Sequence, residues 1–179
     1  MIFRDTAIPG ARIVELERHV DDRGFFARTW DADVFAGEGM NPHVVQTSIS
    51  YNRAEGTLRG LHYQAPPHVE AKLVRCTAGA IYDVVVDLRP DSSMFMRWAG
   101  VELTADNRLA LYVPEGCAHG FLTLVDHCEV AYQMSSVYVP EAARGIRFDD
   151  PSFAIDWPRE IVVVNDRDAS YRDYVPDQV

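Results

Sequence analysis

The feature that most constrains this chain is a succession of short apolar runs, broken at close intervals by turn residues. Residues 72–77 read as a strand, Ala78-Gly79-Ala80 as a turn and residues 81–88 as a second strand. In the second strand Tyr82, Val84, Val86 and Leu88 share one face and Asp83 and Asp87 the other, the period-two alternation of a strand. Residues 97–103, 108–113, 119–124 and 128–134 repeat the pattern, with Thr104-Ala105-Asp106-Asn107 and Pro114-Glu115-Gly116 among the breaks. Strands at this spacing predict a sandwich or small barrel. Helical signal is confined to residues 31–38, opened by Asp31 as N-cap, and to a short stretch at 166–172. Residues 13–16 and 44–50 predict edge strands. An open sheet edge invites pairing with another chain, so a homodimer is expected.

A length of 179 residues favours a single domain spanning 1–179 around one core. The net charge of -10 opposes non-specific binding to nucleic acid or to an anionic membrane surface. A local cluster of Arg and Lys can still hold a small anion. Cys76, Cys117 and Cys128 are odd in number and form no C-x-x-C pair, which reads as buried thiols in a reducing compartment. No apolar run approaches the ~18 residues of a membrane helix, and Met1-Ile2-Phe3-Arg4-Asp5 lacks a signal peptide's apolar stretch. A cytoplasmic location is expected.

Among six histidines, His62 and His119 stand apart. His62 follows Leu58-Arg59-Gly60-Leu61, and His119 follows Pro114-Glu115-Gly116-Cys117-Ala118. Alternate residues of a barrel strand point inward, so the two can meet in the lumen. Taken alone, each reads more simply as a surface or satisfied core residue. His62, Glu70 and His119 could also form a two-His-one-carboxylate metal set, but the cation of nearby Lys72 opposes a divalent ion.

Larger motifs recur in order along the chain: Asp22-Arg23-Gly24-Phe25-Phe26, Leu58-Arg59-Gly60-Leu61-His62-Tyr63-Gln64, Lys72-Leu73-Val74-Arg75 and Pro114-Glu115-Gly116-Cys117-Ala118-His119-Gly120-Phe121. Tyr138-Val139-Pro140-Glu141, Arg144-Gly145-Ile146-Arg147-Phe148-Asp149-Asp150-Pro151 and Ile155-Asp156-Trp157-Pro158 follow. With these segments the chain resembles, over nearly its whole length, the dTDP-4-dehydrorhamnose 3,5-epimerases of L-rhamnose biosynthesis. The resemblance implies an all-β, cupin-type jelly-roll β-barrel with an N-terminal strand extension and short peripheral helices. It also implies a homodimeric isomerase, without metal or cofactor, that inverts C3 and/or C5 of a nucleotide-diphosphate 4-keto-6-deoxy sugar. Metal-binding cupins usually carry His at the position of Gln64, so no metal is expected here.

By the same resemblance His62 matches the base, Asp168 its partner carboxylate, Tyr132 the proton donor and Lys72 a cation near the developing enolate. Arg23, Arg59 and His119 match positions that contact diphosphate and sugar. Phe26, Gln46, Ser48, Tyr138 and Arg167 are further expected substrate-binding positions. The residue types suit the chemistry. A C4 ketone acidifies the hydrogens on C3 and C5, and a base with a pKa near neutral is matched to remove one. A cation near the ketone oxygen favours the enolate over the ketone, and inversion needs a second acid on the opposite face. Without the resemblance Tyr132 reads as a packed strand aromatic, Lys72 as a solvated strand residue and Asp168 as a capping or surface acid.

Four positions depart from the family pattern. Arg28 stands where Glu is usual, Gln46-Thr47-Ser48 where Gln-x-Asn is usual, Ala143 where an acid is frequent, and Arg167 where Lys is usual. The expectation is an intact proton-transfer set with altered recognition of nucleotide or sugar. A C3-only or C5-only epimerase, a ketoisomerase, a non-catalytic sugar-binding cupin and a metal-dependent dioxygenase are the alternatives.

Overall fold

A computed structural model describes residues 1–176; residues 177–179, the end of the span expected to form one domain, lie outside the described residues. In chain order the strands are β1 (Ile2–Asp5), β2 (Arg12–Glu15), β3 (His19–Asp21) and β4 (Gly24–Phe26), followed by helix α1 (Ala32–Gly37). Then come β5 (Gln46–Asn52), β6 (Leu58–Gln64), β7 (Lys72–Ala78), β8 (Ala80–Asp87), β9 (Trp98–Thr104), β10 (Ala110–Val113), β11 (Cys117–Thr123), β12 (Cys128–Met134), β13 (Ala143–Gly145) and helix α2 (Asp166–Ala169). Six strands form one sheet in the order β1-β2-β10-β7-β12-β5, five form a second in the order β13-β6-β11-β8-β9, and β3 and β4 make a separate hairpin. This is the expected cupin-type jelly roll.

The core explains the strand pattern. Val74 and Cys76 of β7, Val130 of β12, Ile81 and Val85 of β8 and Phe121 of β11 belong to one cluster, fully or almost fully buried between the sheets. Removal of this apolar surface from water is the main drive for closing the sheets on each other. Val84 and Val86, on the other face of β8, are covered by Ile146 and Phe153 of the C-terminal segment. Strand β8 is therefore buried on both faces, and Asp83 and Asp87 point into the barrel with no exposure at all. A buried carboxylate needs partners. Asp83 meets His119, and Asp87 accepts hydrogen bonds from Arg89 and Ser92. Cys76, Cys117 and Cys128 are free and buried, and burial pushes the Cys76 and Cys117 thiols up to about 12.

Three sequence expectations shift. Residues 13–16 do not form an edge, because β1 pairs outside β2 with Ile2 opposite Glu15. Phe3 of β1 is held there by edge-on packing against Phe35, with ring centroids 5.5 Å apart. The stretch 108–113 is a strand only from Ala110. The stretch 166–172 is one turn, ending at the cap Ser170, whose N–H closes onto the Asp166 and Arg167 carbonyls. Strand β5 is an edge, and α1 has Asp31 as its N-cap, accepting from the Val34 N–H.

Strands β6 and β11 approach unusually closely. A Cβ on Gly60, whose φ is +131°, would lie 2.5 Å from the Gly120 Cα, so both positions require glycine. The register places His62 directly opposite His119 and then shifts before Phe121. This cross-strand pairing turns both histidines to the same, inward face.

Candidate active site

The two histidines line a cavity of about 220 Å³ together with Ser50, Arg59, Lys72, Phe121, Tyr132, Asn165 and Asp168. His62 and Lys72 also line an adjoining cavity of about 200 Å³ with Gln46, Glu70, Tyr138, Ala143, Arg144 and Arg167. A larger groove of about 530 Å³ lies elsewhere, lined by Thr47, Ile49, Leu73, Arg75, Thr77, Ala131 and Gln133. These residues alternate with the inward-facing ones, so that groove is on the outer face of the six-stranded sheet.

His62 donates from Nε2 to Asp168 Oδ1 at 2.8 Å if it carries its proton there. Asp168 is brought 106 residues along the chain to this point by the single turn of α2, whose Asn165 side chain accepts the Asp168 N–H at 2.7 Å. Its second oxygen accepts the Gly60 N–H at 3.0 Å. Burial alone pushes the Asp168 carboxyl up. The hydrogen bond and charge of His62, the Gly60 N–H and the Arg167 charge outweigh this and hold it below its usual value. Asp168 is 1% exposed, whereas the His62 ring keeps 39% exposure and can reach a ligand. A carboxylate fixed on one imidazole nitrogen sets the tautomer, leaving the other nitrogen free as a base.

Because the folded carboxyl of Asp168 ionises at lower pH than its unfolded counterpart, its ionised form stabilises the fold fully above about pH 4, and that contribution is lost as pH falls below this through the folded value. Asp168→Asn is therefore expected to weaken the fall in urea midpoint on acidification from about pH 5 to 2, read by circular dichroism.

Opposite this dyad, Tyr132 enters from β12 and Lys72 from β7, both in the other sheet. Tyr132 packs against His119 and Phe121, with ring centroids 6.2 and 6.5 Å away. Its pKa is raised, first by burial and then by the Asp83 charge, with the Ser50 hydrogen bond and Arg59 opposing. The phenol is thus held protonated. Lys72 is paired with Glu70 at 3.1 Å and donates to the His62 carbonyl at 3.3 Å. Arg59 is aimed by Asn52, whose Oδ1 accepts from Arg59 Nε at 2.7 Å. His119, 4% exposed, bonds through Nε2 to Asp83 at 2.7 Å.

The structure gathers most of the expected site. His62, Lys72, Arg59, His119, Tyr132 and Asp168 share the first cavity, and Gln46, Tyr138 and Arg167 line the second. Gln46 Oε1 accepts the Tyr138 N–H at 2.8 Å. Ser48 lines neither cavity; it stands directly opposite Tyr132 in the β5–β12 pairing, on the same alternating set as Gln46 and Ser50, and with Tyr132 borders the larger groove. Arg23 and Phe26 sit on the β3–β4 hairpin, outside both cavities; Arg23 pairs with Asp21 and Phe26 is 69% exposed. Of the departing positions, Arg28 is exposed and paired with Asp31, while Ala143 lines the second cavity. Among the described residues no three His, Cys, Asp or Glu side chains are gathered to hold a metal, so His62, Glu70 and His119 do not form such a set.

Asn52, Asp83, Asn165 and Ser50 also join or support the site and were not singled out in the sequence; Glu70, read there only as a candidate metal ligand, pairs with Lys72 instead. Asp83 had a signal, an acid alternating with apolar residues in a strand buried on both faces. Ser50 had none.

A jelly roll carrying paired histidine and tyrosine, with two basic side chains, inside its barrel defines a cupin-type protein with an internal polar site. The chain belongs to the dTDP-4-dehydrorhamnose 3,5-epimerase family, whose model matches residues 5–174, and so to the isomerases. The dTDP-4-dehydrorhamnose 3,5-epimerase of Methanothermobacter thermautotrophicus is 41% identical over 173 residues, covering 95% of this chain and 92% of the relative. The crystal structure of the Bacillus anthracis dTDP-4-dehydrorhamnose 3,5-epimerase with TDP and PPi bound has a TM-score of 0.91 at 39% identity, covering 96% of this chain and 98% of that one. The dTDP-6-deoxy-D-glucose-3,5-epimerase of Legionella pneumophila in complex with dTDP-4-keto-L-rhamnose has a TM-score of 0.90 at 35% identity, covering 99% and 94%.

Proposed function

We propose that this enzyme epimerises a dTDP-linked 4-keto-6-deoxy sugar at C3 and C5 without a metal or cofactor. One observation carries the reading: His62, backed by buried Asp168, stands on one sheet, while Tyr132 stands on the opposing sheet of the same cavity. Inversion needs removal and return of a proton on opposite faces of the sugar, and two sheets provide two faces. His62 takes the proton from carbon, and the electron pair moves onto the C4 oxygen. Lys72 stabilises that enolate more than the ketone. Tyr132 then protonates the carbon from the other side. Arg59 and His119 hold the diphosphate and sugar, Arg59 by the paired donors of its guanidinium. Gln46, Tyr138 and Arg167 hold the nucleotide side, a role supported by their shared cavity.

The same reading takes residues 1–179 as one domain and places the enzyme in the cytoplasm; no helix among the described residues is long and apolar enough to cross a membrane. It takes the enzyme as a homodimer. Edge strand β5 exposes Ile49 and Tyr51, the hairpin exposes Val20 and Phe26, and the buried Arg75 Nη2 beside the outer groove lacks an acceptor among the described residues. A second copy would cover these groups, and contact of Arg23 or Phe26 with substrate then belongs to the partner's site. Light scattering is expected to give about twice the chain mass of 20.2 kDa.

NMR of the reaction with dTDP-4-keto-6-deoxyglucose tests the function. Inversion at C3 and C5 is expected. Inversion at one centre narrows the activity to a mono-epimerase, a ketone moved to C3 makes it a ketoisomerase, and no reaction with any nucleotide-linked 4-keto sugar overturns the proposal. In a thermal-shift panel, dTDP at ~100 times its Kd is expected to stabilise by about 2.7 kcal/mol, with UDP, GDP and CDP giving less.

A further inference from the structure

Lys72 stands at the junction of the two cavities, lining the first with His62 and Tyr132 and the second with Tyr138 and Arg167. Its Nζ pairs with Glu70 Oε1 at 3.1 Å and donates to the His62 carbonyl at 3.3 Å. An ammonium has three N–H donors, so one remains for the C4 oxygen of the sugar. Glu70 lies two residues ahead, just before β7, and its side chain is 11% exposed, as is that of Lys72. The chain between them is pinned just past β12: the Ala71 N–H donates to Ser135 Oγ at 2.7 Å, and the Ala71 carbonyl accepts the Ser135 N–H at 2.9 Å. Behind Glu70, buried Gln64 accepts the Val139 N–H at 2.7 Å through Oε1. That contact turns its amide nitrogen toward the His68 and Val137 carbonyls and toward Glu70 Oε2.

We infer that Glu70 is a positioning residue that reserves the Lys72 charge for the C4 oxygen by keeping it off the diphosphate. The inference rests on the reading of Lys72 as the enolate's cation. A lysine ammonium is a point charge on a flexible four-carbon stem. Unheld at the junction, it would swing toward the diphosphate, whose full negative charge is present before reaction. The ketone oxygen gains its charge only in the transition state. A contact with the diphosphate would tighten binding without speeding the reaction. Pairing with Glu70 changes the balance. Coulomb energy falls with distance, so a phosphate farther off meets a nearly neutral pair. An oxygen in hydrogen-bond contact with the third N–H still meets the cation. The fixed ammonium also needs no reorganisation as charge develops. Glu70 exchanges no proton with the sugar in this role, so the proton balance of the reaction is unchanged.

Glu70→Gln keeps the size of the side chain and removes its charge. In that variant kcat is expected to fall about tenfold or more, while the Kd for dTDP, read by calorimetry, stays equal or tightens. A contact that merely supported the cavity would lose both together. Lys72→Met is expected to lower kcat by about 10²-fold or more. Adding Glu70→Gln to it is expected to change kcat by less than about twofold, because the carboxylate then has no ammonium to hold. Should Glu70→Gln not fold, Glu70→Asp serves, its carboxylate one methylene short of Nζ, with kcat again lower and dTDP affinity kept. An unchanged kcat in Glu70→Gln overturns the inference. So does dTDP affinity that weakens in step with kcat, or a Glu70→Gln loss of the same size with and without Lys72. Lys72→Met separates the two levels: full turnover in that variant removes Lys72 as the enolate's cation, whereas a slow Lys72→Met beside an unaffected Glu70→Gln removes the role of Glu70 alone.

Discussion

His62→Ala is expected to lower kcat by about 10²- to 10⁴-fold, the range a positioned general base contributes, while leaving the Kd for dTDP within about threefold. The first effect follows from the half-open ring and its carboxylate, which make His62 the base within reach of a ligand. The second follows from its role on the reacting carbon, since a group that acts mainly in the transition state adds little to ground-state affinity. The variant also leaves Asp168, 1% exposed, with the Gly60 N–H as its remaining hydrogen-bond donor from the pair that held its two oxygens. A stability loss of about 1–3 kcal/mol is expected for a buried acceptor stripped of its partner. Steady-state kinetics, calorimetry with dTDP and a denaturant melt separate the three.

Tyr132→Phe is expected to break inversion without breaking exchange. The phenol is the proposed donor on the sheet opposite His62, and its loss leaves the enolate no acid on that face. Formation of the inverted sugar falls by about 10²- to 10⁴-fold. Proton removal by His62 persists, and its 39% exposed ring can exchange with solvent and return deuterium to the face from which the proton came. Substrate recovered from D₂O is therefore expected to carry deuterium with its configuration retained. Loss of the Ser50 contact is a minor structural change, because Phe fills the same space against Phe121 and His119.

The fold was legible in the sequence because strand alternation is a local signal. The period-two runs around 72–77, 81–88 and 128–134 emerge as β7, β8 and β12 nearly at their expected limits. Edge and interior positions were less legible. Whether residues 13–16 are an edge depends on β1 folding back outside them, and that depends on Phe3 meeting Phe35, a contact far apart in sequence. In the site, motif positions identified His62, Tyr132, Lys72 and Asp168, and the structure draws all four to one cavity. Their immediate partners were not readable. Nothing near Lys72 indicated that Glu70 would take up its charge, and Ser50 meets Tyr132 only because β5 pairs with β12. The hairpin residues Arg23 and Phe26 show the opposite limit: a motif match names a residue, yet neither lines either cavity of the chain.

The departing positions weigh on recognition more than on proton transfer. Arg28 is turned to solvent and Asp31, away from both cavities, so its reversed charge does not bear on the His62 site within one chain. Ala143 and Arg167 line the second cavity, where removal of an acid and retention of a cation leave a more positive wall. That wall suits a diphosphate-linked ligand.

In the proposed reaction His62 removes a proton from the carbon beside the ketone. This step is tested most directly by following deuterium uptake from D₂O into a dTDP-4-keto-6-deoxy sugar by mass spectrometry, with the unaltered enzyme and His62→Ala side by side. Deuterium is expected at each inverted carbon with the unaltered enzyme, and uptake slower by about 10²-fold or more with His62→Ala, although that variant still binds dTDP. Uptake at the unaltered rate in His62→Ala, or epimerised product without solvent deuterium, would contradict it.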